Sequence, residues 1–394
     1  MIVIKDELMG SGKSSKVINN ILNAPVAERW IVVVPFLEEV DRYVAALESK
    51  GFVSPFSLQG SKQNHLRQLV EDSRNIVITH ALLKLFDMNT FFSLLSNDNY
   101  HLVIDEALEV VEVMSIPKDD FASFLETGRL TVDDDGFVSR NHNIKTGWSS
   151  AYNDLWQLID NGSILMTAGE LMVWEYPKRF LESFKNITVL TYNFEGTLFS
   201  SYLKYHGLEY VVQKGVQHVN PALINIVSNS VMNSVGDGEW SLSANKQANW
   251  KSGVGVCVSI QKHLESYFKN TTYATSTASE RMVSCYKGGW NAIKGKGYSK
   301  SFTSYNLIAV NDYRECHHLA YVANVFVHPH LINLFSKRGV SIDQDAIALN
   351  TLLQWLFRSR VRSGEQITIY VPSSRMRSLL QQWIGGTPQV LDVV

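Results

Sequence analysis

The chain has 394 residues, 45% of them hydrophobic and 19% charged, with a formal net charge of −2. That composition excludes a disordered or fibrous chain, and the length suits two to three domains that each bury a core. No apolar run reaches the roughly 20 residues a membrane span needs, and the glycine loop beginning at Gly10 follows so soon after Met1 that no secretory leader is expected. Cys257, Cys285 and Cys316 are scattered and form no disulfide framework, which points to a reducing, cytoplasmic setting. The near-zero charge argues at first against a nucleic-acid binder. It is, however, a cancellation: residues 1–214 hold 19 basic and 28 acidic residues (net −9), and residues 215–394 hold 17 and 10 (net +7).

In chain order, Met1–Lys5 has a short strand pattern, and Lys13–Leu22 a helical one. Trp30–Pro35 is a near-continuous apolar run, as a strand buried on both faces requires. Leu37–Leu47 reads as helix, Asn75–Thr79 and Leu102–Asp105 as buried strands, and residues 62–72 and 80–97 as helical. Residues 115–185 are less regular. They contain the acidic Asp133-Asp134-Asp135 turn and three tryptophans, Trp148, Trp156 and Trp174, expected to be core rather than stacking platforms. Asn186–Leu190 returns to strand and Glu195–Tyr205 to helix. The polar stretch Ser228–Lys251 reads as a linker or exposed loop. Gly253–Val258, Tyr305–Val310 and Gln366–Val371 have strand character, and Asp343–Arg358 reads as a long helix. Strands alternating with helices predict an α/β chain with mostly parallel sheets.

Two segments carry chemistry. Gly10-Ser11-Gly12-Lys13-Ser14-Ser15 lies between a strand and a helix, the context of a phosphate loop. Its glycines let backbone N–H groups face a polyphosphate, Lys13 would reach the β- and γ-phosphates, and Ser14 would hold Mg²⁺. The full pattern places Gly where this chain has Glu7. The second segment, His101–Ala107, is a buried strand ending in Asp105 and Glu106. Beside a phosphate loop, Asp105 would bind Mg²⁺ and Glu106 would act as general base on water, which points to ATP hydrolysis rather than transfer to a small molecule.

A third cluster, Gln354-Trp-Leu-Phe-Arg358-Ser-Arg360-Val-Arg362, places three arginines at alternate positions, which costs repulsion unless an anion sits among them. It resembles motif VI of superfamily 2 helicases, Q-x-x-G-R-x-x-R. Gln354 and Arg358 match, Phe357 replaces the Gly, and Val361 stands at the second Arg, so Arg358, Arg360 and Arg362 are all open as the arginine finger. On that alignment Gly10–Ser14 is similar to motif I, Val33–Phe36 to motif Ia, Ile78-Thr79-His80 to the segment after it, and Asp105–Leu108 to motif II. Leu190–Asn193 stands at motif III and Ile308–Arg314 at motif V. The combination looks most like DEAD-like helicases of tailed phages. The resemblance implies two RecA-like domains with ATP in the cleft between them: residues 1–214 with an insertion at about 115–185, a linker region 215–250, and residues 251–394. It also implies that Pro35 and Thr79 lie near the nucleic-acid strand.

Arg281–Arg314 interleaves six basic residues with aromatics and four glycines, against one acid, Asp312. Positive charge tracks phosphates and aromatic faces stack on bases, which makes Lys287, Trp290, Lys296 and Arg314 candidate nucleic-acid contacts in an exposed, loop-like segment. Cys316-His317-His318 and His328-Pro-His330 fit no common zinc spacing, and helix is expected from Arg314 onward. The expected function is an ATP- and Mg²⁺-dependent DNA translocase or helicase acting on single-stranded or forked DNA, with RNA as a further substrate class and replication or recombination proteins as partners. If phage-encoded, it would work in a bacterial cytoplasm. Two rivals are a packaging-type ATPase and a motor-like binding module with weak or lost hydrolysis. The first normally carries clustered C-terminal aspartates, whereas residues 345–394 hold only Asp345, Glu365 and Asp392 as acids.

Overall fold

Runs of Val and Ile without polar alternation suit strands covered on both faces, and such runs form strands of the parallel sheets of the chain. A computed structural model describes all residues except 58–60, 88–89, 91–92, 95–99, 115, 135, 145–151, 168–170, 217–218, 273–274, 308–311 and 387–394. The chain divides into two compact units. The first comprises Met1–Glu7, Gly12–Gly215 and His328–Ile342; the second comprises Leu8–Ser11, Val216–Val327 and Asp343–Val394.

The first unit is built on a seven-stranded sheet in the order Tyr210–Lys214, Ile2–Asp6, Asn186–Thr191, Tyr100–Asp105, Arg29–Val34, Asn75–Thr79, Phe52–Val53. Every pairing in it is parallel. Ile31–Val34 and Leu102–Ile104 are essentially inaccessible, as the apolar runs require. Helices Lys13–Asn23 and Leu37–Ala46 cover this sheet through Val17, Ile21, Val40 and Tyr43.

The insertion, part of the first unit, has a sheet of its own. Its three-stranded antiparallel sheet runs Val111–Val113, Leu171–Glu175, Ile164–Thr167, beside the hairpin Leu130–Val132/Val138–Arg140 and helices Lys118–Glu126 and Asn153–Asp160. Trp156 and Trp174 are buried here, as expected; Trp156 meets Phe124 edge-on at 5.0 Å. Trp148 and Asp135 lie outside the described residues.

The second unit has a five-stranded, all-parallel sheet in the order Ile224–Ile226, Ile367–Tyr370, His318–Tyr321, Arg281–Cys285, Phe302–Ser304. The fold expected from sequence, two RecA-like parallel-sheet domains with a long insertion in the first, is the fold observed. Several local expectations are corrected. Gly253–Val258 is not a strand: Val256–Lys269 is a helix, because Ile260, Leu264, Tyr267 and Phe268 recur at helical spacing and are all buried. His318 opens a strand rather than a helix. The polar stretch Ser228–Lys251 carries short helical segments and is tied into the second unit by Gln247, whose amide donates to the Leu242 and Val322 carbonyls at 2.9 and 2.7 Å and accepts from the Tyr286 N–H at 3.0 Å.

One element changes units. Helix Pro329–Lys337 lies in sequence between the second sheet's strands His318–Tyr321 and Ile367–Tyr370 yet belongs to the first unit. Arg338, at its end, donates to Glu175 at 2.6 Å and lies 3.9 Å over the Tyr205 ring, and His206 meets the other Glu175 oxygen at 2.8 Å. Glu175 is only 5% exposed. Breaking a buried pair leaves an uncompensated charge, so Arg338→Ala should cost about 3–5 kcal/mol of unfolding free energy in denaturant titration. A loss below about 1 kcal/mol, the range of surface pairs, would show that this contact does not anchor the helix.

Candidate functional site

In a parallel sheet the loops that carry chemistry leave the carboxyl ends of the strands. Glu7, Pro35, His80, Glu106 and Tyr192 all directly follow strands of the first sheet, so the sequence-predicted groups of this unit gather along one edge. Val34 pairs with Thr79 and Leu190 with Asp105 in the parallel register, which sets Pro35 and Thr79 at neighbouring strand ends. Thr79 caps the following helix by accepting from the Leu82 N–H at 3.2 Å.

The segment Gly10–Ser15 has the backbone that a phosphate loop would require. Gly10 and Gly12 adopt φ of 83° and 82°, a region open to glycine at little cost, and Gly12 caps helix Lys13–Asn23. Lys13 Nζ donates to the Glu7 carbonyl at 2.5 Å. Burial lowers the Lys13 pKa, while Glu106, Asp105, Glu7 and Asp6 pull it back up. Its ammonium, which donates to the Glu7 carbonyl, is of the type that also donates to anionic oxygens.

Glu7, which stands where the full phosphate-loop pattern has Gly, is accommodated locally. Its side chain is buried, its carboxylate pairs with Lys16 at 2.7 Å, and it lies against the backbone of Gly215. A Cβ on Gly215 would stand 2.4 Å from Glu7 Cγ. Gly215→Ala should therefore destabilise the protein by about 1–3 kcal/mol. Glu7→Gly, which restores the family residue, should relieve most of that in the double variant; additive losses in a double-mutant cycle would contradict the contact.

Motif II is held from several sides. Ser14 Oγ donates to Asp105 Oδ2 at 2.8 Å, joining the two segments that would hold Mg²⁺. Tyr43 Oη donates to the same oxygen at 2.7 Å, and the Arg42 guanidinium stands 3.8 Å away. His80 Nε2 lies 2.9 Å from the Asp105 carbonyl, and burial lowers the His80 pKa to about 4, so at neutral pH it is an uncharged donor. Glu106 has a left-handed backbone, φ 71°, and its N–H bonds to the Leu190 carbonyl at 2.9 Å. That conformation costs a non-glycine residue roughly 1–3 kcal/mol and sets the direction of the Glu106 side chain. A hydroxyl, a carboxylate and a lysine converging beside a glycine loop form a donor set that suits a divalent cation with a polyphosphate. Two residues of this assembly, Asp6 and Tyr43, carry no motif signal in the sequence, and His80, aligned with the segment after motif Ia, bonds instead to Asp105. Asp6 is buried and accepts from the Asn193 and Phe194 N–H groups at 2.8 and 3.2 Å, tying the phosphate-loop strand to the segment aligned with motif III.

The arginine cluster lies in the second unit. Helix Gln344–Leu356 ends just before Arg358, which is buried at 6% exposure, whereas Arg362 is exposed. Arg360 Nε donates to the Gln366 carbonyl at 3.0 Å, and its guanidinium stands 3.6 Å from Glu365. Gln354 is half-buried on the same helix. The two departures from the motif are core residues: Phe357 packs edge-on to Trp383 at 6.1 Å, and Val361 is 3% exposed.

The segment Arg281–Arg314 is more ordered than expected from its glycines. It contains strand Arg281–Cys285, helix Lys287–Ile293 and strand Phe302–Ser304. Trp290 is half-buried and stacks on Phe302 at 5.0 Å, and Tyr298 is buried. Arg281 is committed to the carbonyls of Ser276 and Gly297. Lys287, Lys296 and Arg314 are exposed. Residues 308–311, most of the segment aligned with motif V, lie outside the described residues.

Comparison with known proteins agrees with this architecture. A family model described as the YonV C-terminal Rossmann-like domain matches residues 218–384. The SPbeta prophage-derived uncharacterized protein YonV of Bacillus subtilis (strain 168) is 28% identical over 97% of this chain and 98% of its own length. Among solved structures, one described as XPD_APO is similar over 99% of this chain and 96% of its own, with a TM-score of 0.53 and 12% identity. Another, XPD_Helicase, covers 97% and 94% with a TM-score of 0.50 and 11% identity. The chain therefore has a helicase-like fold. Among the described residues no helix is long and apolar enough to cross a membrane.

Proposed function

We propose that this protein is a nucleic-acid-stimulated ATPase of superfamily 2 type that moves on, or unwinds, DNA. The observation that carries the reading is the Ser14–Asp105 hydrogen bond beside Lys13, which joins phosphate loop and acidic motif in one site on a helicase-like scaffold. In this reading the loop N–H groups and Lys13 bind the β- and γ-phosphates, and Ser14 and Asp105 hold Mg²⁺. Bound there, the ion would neutralise phosphate charge as the γ-phosphoryl group leaves. Glu106 orients the attacking water and takes its proton. The finger on the γ-phosphate comes from the Arg358–Arg360–Arg362 cluster; Arg362, the exposed member, is our assignment. Lys287, Lys296 and Arg314 contact the backbone of the strand, as do Pro35 and Thr79 at the ends of neighbouring strands. Trp290, engaged with Phe302, contributes the rim of that surface rather than a free stacking face.

The packing of Glu7, Phe357 and Val361 supports a working motor over a degenerate binding scaffold, because each departure from the family pattern has a structural role. The prophage-derived relative supports a phage origin and a bacterial host; on our reading the enzyme is DEAD-like and acts on DNA in that host's cytoplasm, alongside replication or recombination proteins.

ATP turnover, measured with single-stranded, duplex and forked DNA and with RNA at fixed salt, should rise with single-stranded or forked DNA. Lys13→Ala should lower it by roughly 100-fold or more. Glu106→Gln should retain ATP without turning it over. Full activity in Lys13→Ala would sink the phosphate-loop assignment, and a flat rate near zero on every nucleic acid would favour the binding module.

A further inference from the structure

Tyr43 lies on helix Leu37–Ala46, is wholly inaccessible, and sits in the apolar core with Val17, Val34 and Val40. A phenol in such a place needs a hydrogen-bond partner, or its burial costs more than its ring returns. Phenylalanine would fill this space without that demand, so the hydroxyl calls for an account. Its partner is Asp105 Oδ2, at 2.7 Å, the oxygen that Ser14 also reaches at 2.8 Å. The side-chain hydrogen bonds to this carboxylate, among the described residues, thus gather on Oδ2. Two donors on one oxygen fix the rotation of the carboxylate plane and leave Oδ1 without a side-chain donor. From the other side, His80 Nε2 lies 2.9 Å from the Asp105 carbonyl. A carbonyl can only accept, so His80 carries its proton on Nε2 and donates.

We propose that Tyr43 is a positioning residue that aims the Asp105 carboxylate at the cation, with His80 bracing the same residue through its backbone. The proposal rests on the reading of Ser14 and Asp105 as the Mg²⁺ site. Ser14 has to offer its oxygen to the ion, whereas Tyr43 has no such duty; its hydroxyl is the donor that stays on Oδ2. Hydrogen-bonded partners of metal ligands set ligand orientation and basicity, and their loss typically weakens metal binding 10- to 100-fold.

The test is a titration of MgCl₂ against a fixed concentration of a fluorescent ATP analogue, 2′(3′)-O-(N-methylanthraniloyl)-ATP, read as binding with no turnover required. Tyr43→Phe keeps the ring and removes only the hydroxyl. It should raise the half-saturating Mg²⁺ concentration about 10-fold. Magnesium-free nucleotide affinity should change less than about 2-fold, since no contact to the nucleotide is lost. His80→Gln, which keeps an amide donor, should give a smaller rise than His80→Ala, and this pair tests the brace if Tyr43→Phe melts well below the wild type. A Mg²⁺ midpoint in Tyr43→Phe equal to that of the wild type overturns the positioning role alone. If the wild type shows no Mg²⁺-dependent nucleotide binding, the site assignment falls and this inference falls with it.

Discussion

The end of strand Tyr100–Asp105 is the point on which the candidate site depends. A parallel sheet requires its central strand to be buried on both faces, so the strand can carry polar groups only where it leaves the sheet. Asp105 is the last residue of that strand, and the chain fixes it at both ends: carboxylate to Ser14 and Tyr43, carbonyl to His80. The turn that follows is forced into a left-handed conformation at Glu106 and pinned by the Leu190 carbonyl. Moving this strand by one residue in register would put Glu106 where Asp105 stands and turn Asp105 to the opposite face.

The same logic explains why the acidic first half can hold an anion. Asp6, Glu7, Asp105 and Glu106 surround one lysine. Burial lowers the Lys13 pKa, and the four carboxylates oppose that shift. Net charge over the chain says nothing about such a site. What matters is where the charges are held and what the backbone N–H groups face.

Much of this was legible in sequence because the relevant chemistry is local. Continuous Val/Ile runs mark buried strands, and Gly-Ser-Gly-Lys-Ser between strand and helix marks a turn with two left-handed glycines. Contacts made at long range were not legible. Tyr43 and Asp105 are distant in sequence and meet only because strands Arg29–Val34 and Tyr100–Asp105 are neighbours in the sheet. Nothing in Leu37–Leu47 marks one tyrosine as polar-bonded rather than core. Valines between glycines at 253–258 mimic a strand, and only the burial of Ile260, Leu264 and Tyr267 reveals the helix. The glycines of 281–314 suggested an exposed loop, but Gly289 and Gly295 sit where a Cβ would collide with Gln247 and Glu265, so there they serve close packing. Helix Pro329–Lys337 joins the first unit through Glu175 in the insertion, a pairing across more than 150 residues that no local pattern could announce.

The proposed ATP-driven movement is measured most directly as displacement of streptavidin from an end-biotinylated single-stranded DNA. A motor of this kind should give ATP-dependent release that disappears when a non-hydrolysable analogue replaces ATP and that depends on which end carries the biotin. Release that is absent with ATP, or equal with ATP and the analogue, would contradict it.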